Sequence, residues 1–480
     1  MDSNLNTYVN NVNMQNAQVQ VRPVEVIEHK KVYRIAAWIS YLIGFFYLKH
    51  VIISTFKFEA DSKPYMLWTY FVFGVVFVIA TEIFSHFAGM EYKKLKEAKK
   101  SVVEPIVFIA CIALQSVAIM IWGFHKEWEV YQFLLWHFMI IYYVLARTGC
   151  LAAGRSGLLF FLDGIQGTVT VPWSYIFFRT ETILRKGCMF EPKPAKVKGA
   201  VKERKKLSLT TIVTVGISVC IALIVCGYAV VQLAASSDTF SNLGSAVVEV
   251  IDNFFESLFK VFDEDFFYEV ESNIGTFLFS IPISCWLFGL VGGCIRKKKP
   301  MCSDKEFEDC TKDLHLLPSY SAYIVIGSVC VVYALFCGTA VYDFIFHKGF
   351  FAATAHEASV RSVESFWSLI RVVVMNFTVV AASCLFSKKA LWEEKGTRIL
   401  GTVLVAFALI FAILAACNLC GVYIALFGIT PKRILSSLVV FNAIAWCILM
   451  LIRFYKKIPA AQIGILIGAI SFSVVVCFKF

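Results

Sequence analysis

The chain has 480 residues, of which 59% are hydrophobic and 16% are charged, with 45 Lys or Arg against 34 Asp or Glu. Soluble domains average about 45–50% apolar and about 25% charged residues. The apolar residues here come in runs of about 20, the length that crosses a ~30 Å hydrocarbon layer as a helix. The composition therefore excludes an ordinary soluble globular protein and predicts an all-α transmembrane helix bundle.

The chain begins with a polar stretch rich in Asn and Gln, residues 1–31. It lacks the basic n-region, apolar core and small-residue cleavage site of a secretory signal. Such a stretch buries too little apolar surface to fold. We predict a disordered polar cytoplasmic tail, followed by a first spanning helix that directs membrane insertion.

About eleven spans are predicted. An N-terminal transmembrane part, residues 32–178, holds four of them, and a C-terminal part, residues 209–480, holds seven, with the basic loop 179–208 between the two parts. In chain order the spans are 33–56, 65–87, 105–124, 130–147, 209–233, 273–294, 320–343, 366–387, 399–424, 434–453 and 458–478.

Basic residues flank one end of these spans and acidic residues the other. In an eleven-span chain the clusters of Lys and Arg all fall on the N-terminal side: 29–31, 91–100, 179–206, 296–299, 388–398 and 453–457. The loop 234–272, on the other side, has nine Asp or Glu and one Lys. Since Lys and Arg are enriched in cytoplasmic loops, we predict a cytoplasmic N-terminus and an extracytoplasmic C-terminus.

One apolar segment, residues 158–178, does not fit the pattern of a simple span. It contains Asp163, two glycines and Pro172, which interrupt a helix, and a crossing here would place the basic block 179–206 outside. We predict a re-entrant or interfacial segment, with an ordinary surface helix as the alternative. Non-helical backbone at membrane depth is tolerated only where protein or water surrounds it.

The two charged loops suggest membrane contacts. Residues 247–262 of the acidic loop carry an apolar stripe with helical period, typical of a helix on the membrane surface or of a lid over an outer cavity. The basic block 179–206 is predicted to contact anionic lipid headgroups. No nucleic-acid recognition motif accompanies it, so the bilayer is the expected partner and protein partners stay undefined.

Ionisable and polar side chains inside spans are candidates for a ligand site or for specific packing. Lys49 and Arg371 fall at one outer depth, where two cations attract an anion or reach toward headgroups. His137 and Asn376 fall near mid-membrane, where polar side chains hydrogen-bond between helices. Glu82 falls about 16 Å deeper than Lys49, too far for a direct pair, and is predicted to reach the cytoplasmic interface.

The stretch YIALFGITPKRIL, residues 423–435, connects the ninth and tenth spans. Gly428 suits the positive φ that ends a helix, Thr430 suits the N-cap position, and Pro431 suits the first turn of the next helix. The stretch is predicted to be a tight outer turn, and its residues are also candidates for a ligand site.

Chemical signatures are weak elsewhere. No P-loop, nucleophile elbow or HExxH motif occurs. Two thiol groupings, Cys417 with Cys420 and Cys302 with Cys310 and His315, lack the second CxxC of a zinc site. We predict no catalytic residue, no cofactor and no metal.

Three stretches resemble a bacterial group of multi-pass membrane proteins, those that carry the domains of unknown function forty-one fifty-three and forty-one seventy-three. The stretches are residues 134–173, 342–377 and 418–441, and the positions that match the group's pattern are Gly349, Phe350, Asn376, Tyr423, Phe427, Gly428, Thr430 and Arg433, with Ile429 in place of a Leu. Residues 352–365 look expanded relative to the group, and the soluble segment that often follows its last helix is missing after Phe480.

The resemblance implies an integral membrane protein of a bacterial plasma membrane, without an established role. It adds Tyr423 and Arg433 to the candidate residues. Three functions are left open: a small-molecule transporter or permease, a non-catalytic sensor or cell-envelope scaffold, and a membrane-embedded enzyme acting on lipid or an envelope precursor.

Overall fold

The computed structural model describes residues 30–56, 68–125, 127–185, 273–297, 304–311, 322–334 and 355–478, together with residues 300, 314 and 315. These ranges contain helices and no β-strand, which confirms the predicted all-α class. The helices are α1 (Lys30–Phe46), α2 (Trp68–Phe87), α3 (Tyr92–Glu97), α4 (Val103–Trp122), α5 (Glu129–Arg147), α6 (Phe160–Ile165), α7 (Phe178–Leu184), α8 (Asn273–Lys297), α9 (Asp304–Thr311), α10 (Ala322–Ala334), α11 (Ala355–Phe386), α12 (Lys395–Ala416), α13 (Pro431–Tyr455) and α14 (Ala460–Val475).

Eight of the described helices are long and apolar enough to cross a membrane. They are α1 with its continuation to Thr55, α2, α4, α5, α8, α11, α12 with its continuation to Phe427, and α13. Helices α10 and α14 are apolar but shorter. The predicted span 209–233 lies outside the described residues, as do most of the tail 1–31, the acidic loop 234–272 and residues 186–206 of the basic block, so the total of eleven stays a prediction.

Three helices continue through wider π-helical turns. The π segments are Tyr47–Ile52 after α1, Gln166–Thr170 after α6 and Cys417–Ile424 after α12. Short α-helical stretches follow them: Ile53–Phe56, Val171–Ser174 and Ala425–Phe427. Since π turns are rare and recur at functional sites, these segments mark places to look for one.

The described helices pack around two main cores. The first is an aromatic cluster between α1, α2, α4, α5 and the second half of α8, with Tyr33, Phe73 and Trp136 fully or almost fully buried. The second lies between α10, α11, α12 and α13. Helix α14 packs against both α4 and α13, so it joins the two groups. The compact unit that contains both comprises residues 1–190 and 281–480, and of residues 191–280 only the first turns of α8 are described.

Glycines bring the helix backbones close together. A Cβ built on Gly44 of α1 would lie 2.6 Å from the Ser284 Cβ and 2.8 Å from its Cα in α8. A Cβ on Gly289 would lie 3.0 Å from the carbonyl oxygens of Pro172 and Tyr175. Helices in lipid associate through close packing of such small residues, because hydrocarbon supplies no hydrophobic drive between them.

Segment 158–178 follows a re-entrant path along α8. Near its start, the Cys150 thiol donates a hydrogen bond to the Cys294 carbonyl at 3.2 Å. In its middle, the Trp286 Nε1–H donates to the Thr168 carbonyl at 3.1 Å. Trp286 and Cys294 are eight residues apart, about 12 Å along the helix. The segment then returns, since Glu181 pairs with Arg296 at 3.1 Å.

The outward face of this segment is apolar, and its buried face carries polar side chains beside apolar ones. Asp163 and Gln166 are buried, and the Gln166 amide donates to the Cys150 carbonyl at 2.9 Å. At least half of the side-chain surface is exposed at every fourth position, namely Phe161, Ile165, Val169, Trp173 and Phe177. Buried polar groups that bond within the protein, together with an apolar exposed face, suit a segment that contacts lipid, which favours the re-entrant prediction over the surface helix.

The predicted basic segments gather at one end of the bundle, here named the basic end. Its contacts join Tyr33 with Phe87, Lys100 with Gly149, Ser101 with Gln462, Glu181 with Arg296, and Trp392 with Arg453. At the opposite end, the Trp122 Nε1–H donates to the Cys477 carbonyl. The alternation of basic and non-basic connections that the sequence predicts is therefore present in the described helices.

Candidate functional site

The turn between α12 and α13 has the backbone that its sequence predicts. The continuation of α12 ends at Phe427, and Gly428 adopts a φ of 74°. Thr430 takes the extended conformation of an N-cap residue, and Pro431 begins α13. The Thr430 hydroxyl makes no capping hydrogen bond, so its side chain stays available for other contacts.

Arg433 holds this turn closed. Its Nη1 donates to the carbonyl oxygens of Phe427 at 2.7 Å and Gly428 at 2.6 Å. Its guanidinium lies 4.4 Å above the Tyr423 ring centroid. Cations near a helix C-terminus stabilise the free carbonyls there. The structure thus brings together four candidates from the sequence, Tyr423, Gly428, Thr430 and Arg433, and Arg433 contacts both Tyr423 and Gly428.

A cavity of about 300 Å³ opens beside this turn, and we name it the turn cavity. Helix α11, the π segment after α12 and the start of α13 line it with Val363, Phe366, Trp367, Leu419, Tyr423, Thr430, Lys432, Arg433 and Ser436. Two cations and two aliphatic hydroxyls stand beside three aromatic rings. Among these nine described residues there is no carboxylate, and the two cations are groups that attract an anion.

The turn cavity lies at the end of the bundle opposite the basic end. The continuous apolar helix that begins at Lys395 ends at Phe427, next to the cavity. Aromatic residues concentrate at the headgroup level of membrane proteins, and Phe366, Trp367 and Tyr423 line the cavity.

Glu127, in the connection between α4 and α5, approaches the cavity from outside. Its Oε1 lies 3.6 Å from the Lys432 Nζ, and both side chains are largely exposed. Glu127 has a φ of 75°, a left-handed conformation that is uncommon for a residue with a side chain. The pair places a carboxylate next to a cation that lines the cavity.

The intramembrane candidates do not form one site. The Lys49 Nζ lies 5.9 Å from the Phe45 ring centroid, four residues earlier in the same chain segment, whereas Arg371 is exposed on α11. Neither is among the residues that line the turn cavity. The hypothesis of a shared anion site for Lys49 and Arg371 therefore finds no support in the described residues.

The two mid-membrane candidates have packing roles in the structure. Asn376 is buried, and its Oδ1 accepts a 2.6 Å hydrogen bond from the Tyr333 hydroxyl, which joins α11 to α10. This is the predicted bond between helices. The His137 Nδ1 instead bonds to the Phe133 carbonyl of its own helix at 2.7 Å, and its ring packs on Phe133 with centroids 4.2 Å apart.

The structure contains a polar cluster at the basic end that was not predicted from the sequence. Arg147 is 3% exposed, and its Nε donates to the Glu82 oxygens at 2.9 and 2.8 Å while Nη1 donates to the Met90 carbonyl at 2.6 Å. The hydroxyls of Tyr92 and Tyr143 each donate to Glu82 Oε1 at 2.8 Å. Burial and the neighbouring Glu82 carboxylate raise the pKa of Tyr92 to about 12.

The sequence predicts that Glu82 reaches the cytoplasmic interface, and the structure adds that it pairs there with Arg147. Its partner, Arg147, is the last residue of α5, and both helices end at the basic end. Glu82 and Arg147 lie at equal depth along their helices, and this is the sequence signal from which the pair could have been predicted. A second cavity, of about 380 Å³, adjoins the cluster and is lined by Glu82, Ile83, His86, Phe87, Glu91, Tyr92 and Arg147. All five hydrogen bonds just described are internal, which indicates a structural anchor.

No group of three or more His, Cys, Asp or Glu able to hold a metal occurs among the described residues. Cys417 and Cys420 lie in the π segment after α12 and are exposed and unbridged. Of the other thiol grouping, Cys302 lies outside the described residues, and the His315 Nδ1 bonds to the Ser387 carbonyl at 3.0 Å.

The helices and their apolar surfaces define a helical integral membrane protein. The family model described as Domain of unknown function (DUF4153) matches residues 106–478, well over half of the chain, and the chain belongs to this family. The resemblance to family forty-one fifty-three is thereby confirmed, and membership of forty-one seventy-three stays a prediction. No curated protein and no solved structure matches the chain.

Proposed function

We propose that this protein is a non-catalytic membrane receptor that binds an anionic ligand in the turn cavity. In this proposal the chain crosses a bacterial plasma membrane several times, with the basic end in the cytoplasm and the turn cavity at the outer face. The positive-inside rule supports that orientation, because the basic segments share one end of the bundle.

The lining of the turn cavity is the observation that carries the proposal. Lys432 is 76% exposed on its side chain and has only Glu127, at 3.6 Å, as an ionic partner among the described residues. The Nη1 group of Arg433 donates to the two turn carbonyls. The guanidinium has five N–H donors in all, so it has further donors for a ligand. Thr430 adds a hydroxyl donor beside these cations, whereas the Ser436 hydroxyl donates to the Lys432 carbonyl at 3.0 Å. Two cations and a hydroxyl match a phosphate or carboxylate group.

Neutralising Lys432 is expected to weaken anion binding about fivefold. A Lys near a charged partner at the membrane surface contributes about 1 kcal/mol. The measurement is calorimetric titration of the purified protein in a maltoside detergent with hexyl phosphate, a soluble alkyl phosphate, comparing wild type with Lys432→Gln. Product analysis after the titration should recover hexyl phosphate unchanged.

Lys457→Gln is the matched control, since Lys457 is an exposed lysine next to the other end of α13. It should bind hexyl phosphate as wild type does. Equal affinity of wild type and Lys432→Gln, or no binding by wild type, would overturn the proposal. Because Lys432 is mostly exposed, its substitution leaves the fold intact.

Removing the Glu127 charge is expected to strengthen anion binding, the opposite of the effect of neutralising Lys432. Its carboxylate repels an arriving anion and competes for Lys432, so Glu127→Gln should tighten hexyl phosphate binding about twofold, the size expected for an exposed ion pair. Glu129→Gln, which neutralises an exposed glutamate two residues away at the start of α5, is the control. A loss of affinity in Glu127→Gln would show that the carboxylate contributes to the site.

A small-molecule permease is the second candidate. The re-entrant segment 158–178 and the π segments favour it, because transport sites form where helices are interrupted. Reconstitution into vesicles with a panel of labelled metabolites tests it. Substrate-dependent flux that Lys432→Gln leaves unchanged would favour the permease over the receptor.

A further inference from the structure

Three large apolar side chains stand at the tip of the turn beside the cavity. Leu426 is 54% exposed, Phe427 42% and Ile429 69%. They flank Gly428, while Lys432 and Arg433 follow within five residues and line the cavity. Cationic and apolar surfaces thus adjoin over one turn of the chain, which is the pairing that an amphiphile with an anionic head requires.

The level of this turn matches that of lipid headgroups. Leu426 and Phe427 are the last residues of the continuous apolar helix that begins at Lys395. Trp367 lines the cavity and is exposed, as is usual for aromatic side chains at the headgroup level. Positive side chains just outside the hydrocarbon attract phosphate headgroups, while exposed apolar side chains at the same depth contact acyl chains.

We propose that the ligand of the turn cavity is a phosphate-headgroup lipid of the surrounding leaflet, which enters sideways from the bilayer. This rests on the proposed anion-binding function and names its ligand class. The phosphate lies against Lys432 and the free edge of Arg433, and the acyl chains lie against Leu426, Phe427 and Ile429.

Charge complementarity separates this lipid from the other lipids that cover the bundle. The described lining carries two positive charges and no negative one, and Glu127 stands outside it. A zwitterionic headgroup brings its own cation into this positive field and is disfavoured there. An anionic phosphate monoester has no such penalty, so selectivity for the anionic lipid is expected at this turn.

Photocrosslinking in vesicles tests this directly. The full-length protein is reconstituted in phosphatidylcholine vesicles that contain a small fraction of either phosphatidic acid or phosphatidylcholine, each with a diazirine in the acyl chain next to the headgroup. Peptide mapping after illumination should show residues 426–429 labelled about fivefold more by the phosphatidic acid probe, the preference expected for one lysine contact. Lys432→Gln should lower that labelling to the phosphatidylcholine level.

Lys457→Gln should keep the preference of wild type. Equal labelling of residues 426–429 by the two probes in wild type would overturn the lipid proposal. If hexyl phosphate still bound in detergent and depended on Lys432, the anion site would stand and its ligand would be soluble. If neither probe preference nor hexyl phosphate binding occurred, the proposed function itself would be wrong.

Discussion

Replacing Glu82 with Ala is expected to lower the free energy of unfolding by up to about 3–5 kcal/mol, the loss seen when one member of a fully buried ion pair is removed; here Arg147 is buried and the Glu82 side chain is 31% exposed. Arg147 is 3% exposed and would keep its charge without a carboxylate. The hydroxyls of Tyr92 and Tyr143 would lose their acceptor as well. The measurement is unfolding by sodium dodecyl sulfate titrated into protein in mild detergent micelles.

The double-mutant cycle with Arg147→Ala separates the ion pair from general damage. Since the two side chains are in direct contact, the double variant should lose less stability than the sum of the two single variants. Glu97→Ala, at an exposed position of α3, is the control and should change stability little. Strict additivity of Glu82→Ala and Arg147→Ala would contradict the pair.

Gly44→Ala is expected to destabilise the bundle by about 1–3 kcal/mol, the range for overpacking a tight interface. The new Cβ would lie 2.6 Å from Ser284 Cβ, 2.8 Å from its Cα and 2.9 Å from its N, so α1 and α8 would have to separate. A single methyl group is enough, because two of these three atoms belong to the backbone. The same unfolding titration measures the loss.

Gly327→Ala is the matched control for that substitution. Gly327 lies in helix α10, and a Cβ built there meets nothing within 4 Å. Without a clash, Ala is the better helix former by roughly 0.5–1 kcal/mol, so this variant should be neutral or slightly more stable. A loss in Gly44→Ala no larger than in Gly327→Ala would show that the interface relaxes freely.

The turn at residues 423–435 shows how far local sequence goes. Gly428, Thr430 and Pro431 each have a backbone preference set by their own covalent structure, so the end of one helix and the start of the next could be predicted. The bonds from Arg433 to the carbonyls of Phe427 and Gly428 are also local. The cavity was not predictable, because Val363, Phe366 and Trp367 reach it from a helix some 60 residues away in the chain.

Glu82 shows what cannot be predicted by considering each helix separately. Depth along a helix is set by residue count, and it correctly excluded Lys49 as a partner. Which helix packs next to α2 depends on how whole helices fit together. The packing of α5 near α2 places Arg147 beside Glu82. Segment 158–178 is similar, since its interruptions were visible in the sequence while its path along α8 was fixed by contacts of Trp286, Gly289 and Gly293.

The sequence by itself determined the membrane class, the helical spans within the described ranges, the grouping of basic segments at one end and the conformation of the turn at Gly428. Each of these depends on hydropathy, charge or backbone preference counted along the chain. Only the tertiary structure decided that Arg147 pairs with Glu82, that Asn376 bonds Tyr333, and that Trp367 and Lys432 line one cavity. In lipid, apolar helices attract each other with little sequence specificity, so fine packing of small residues and polar pairs selects the neighbours.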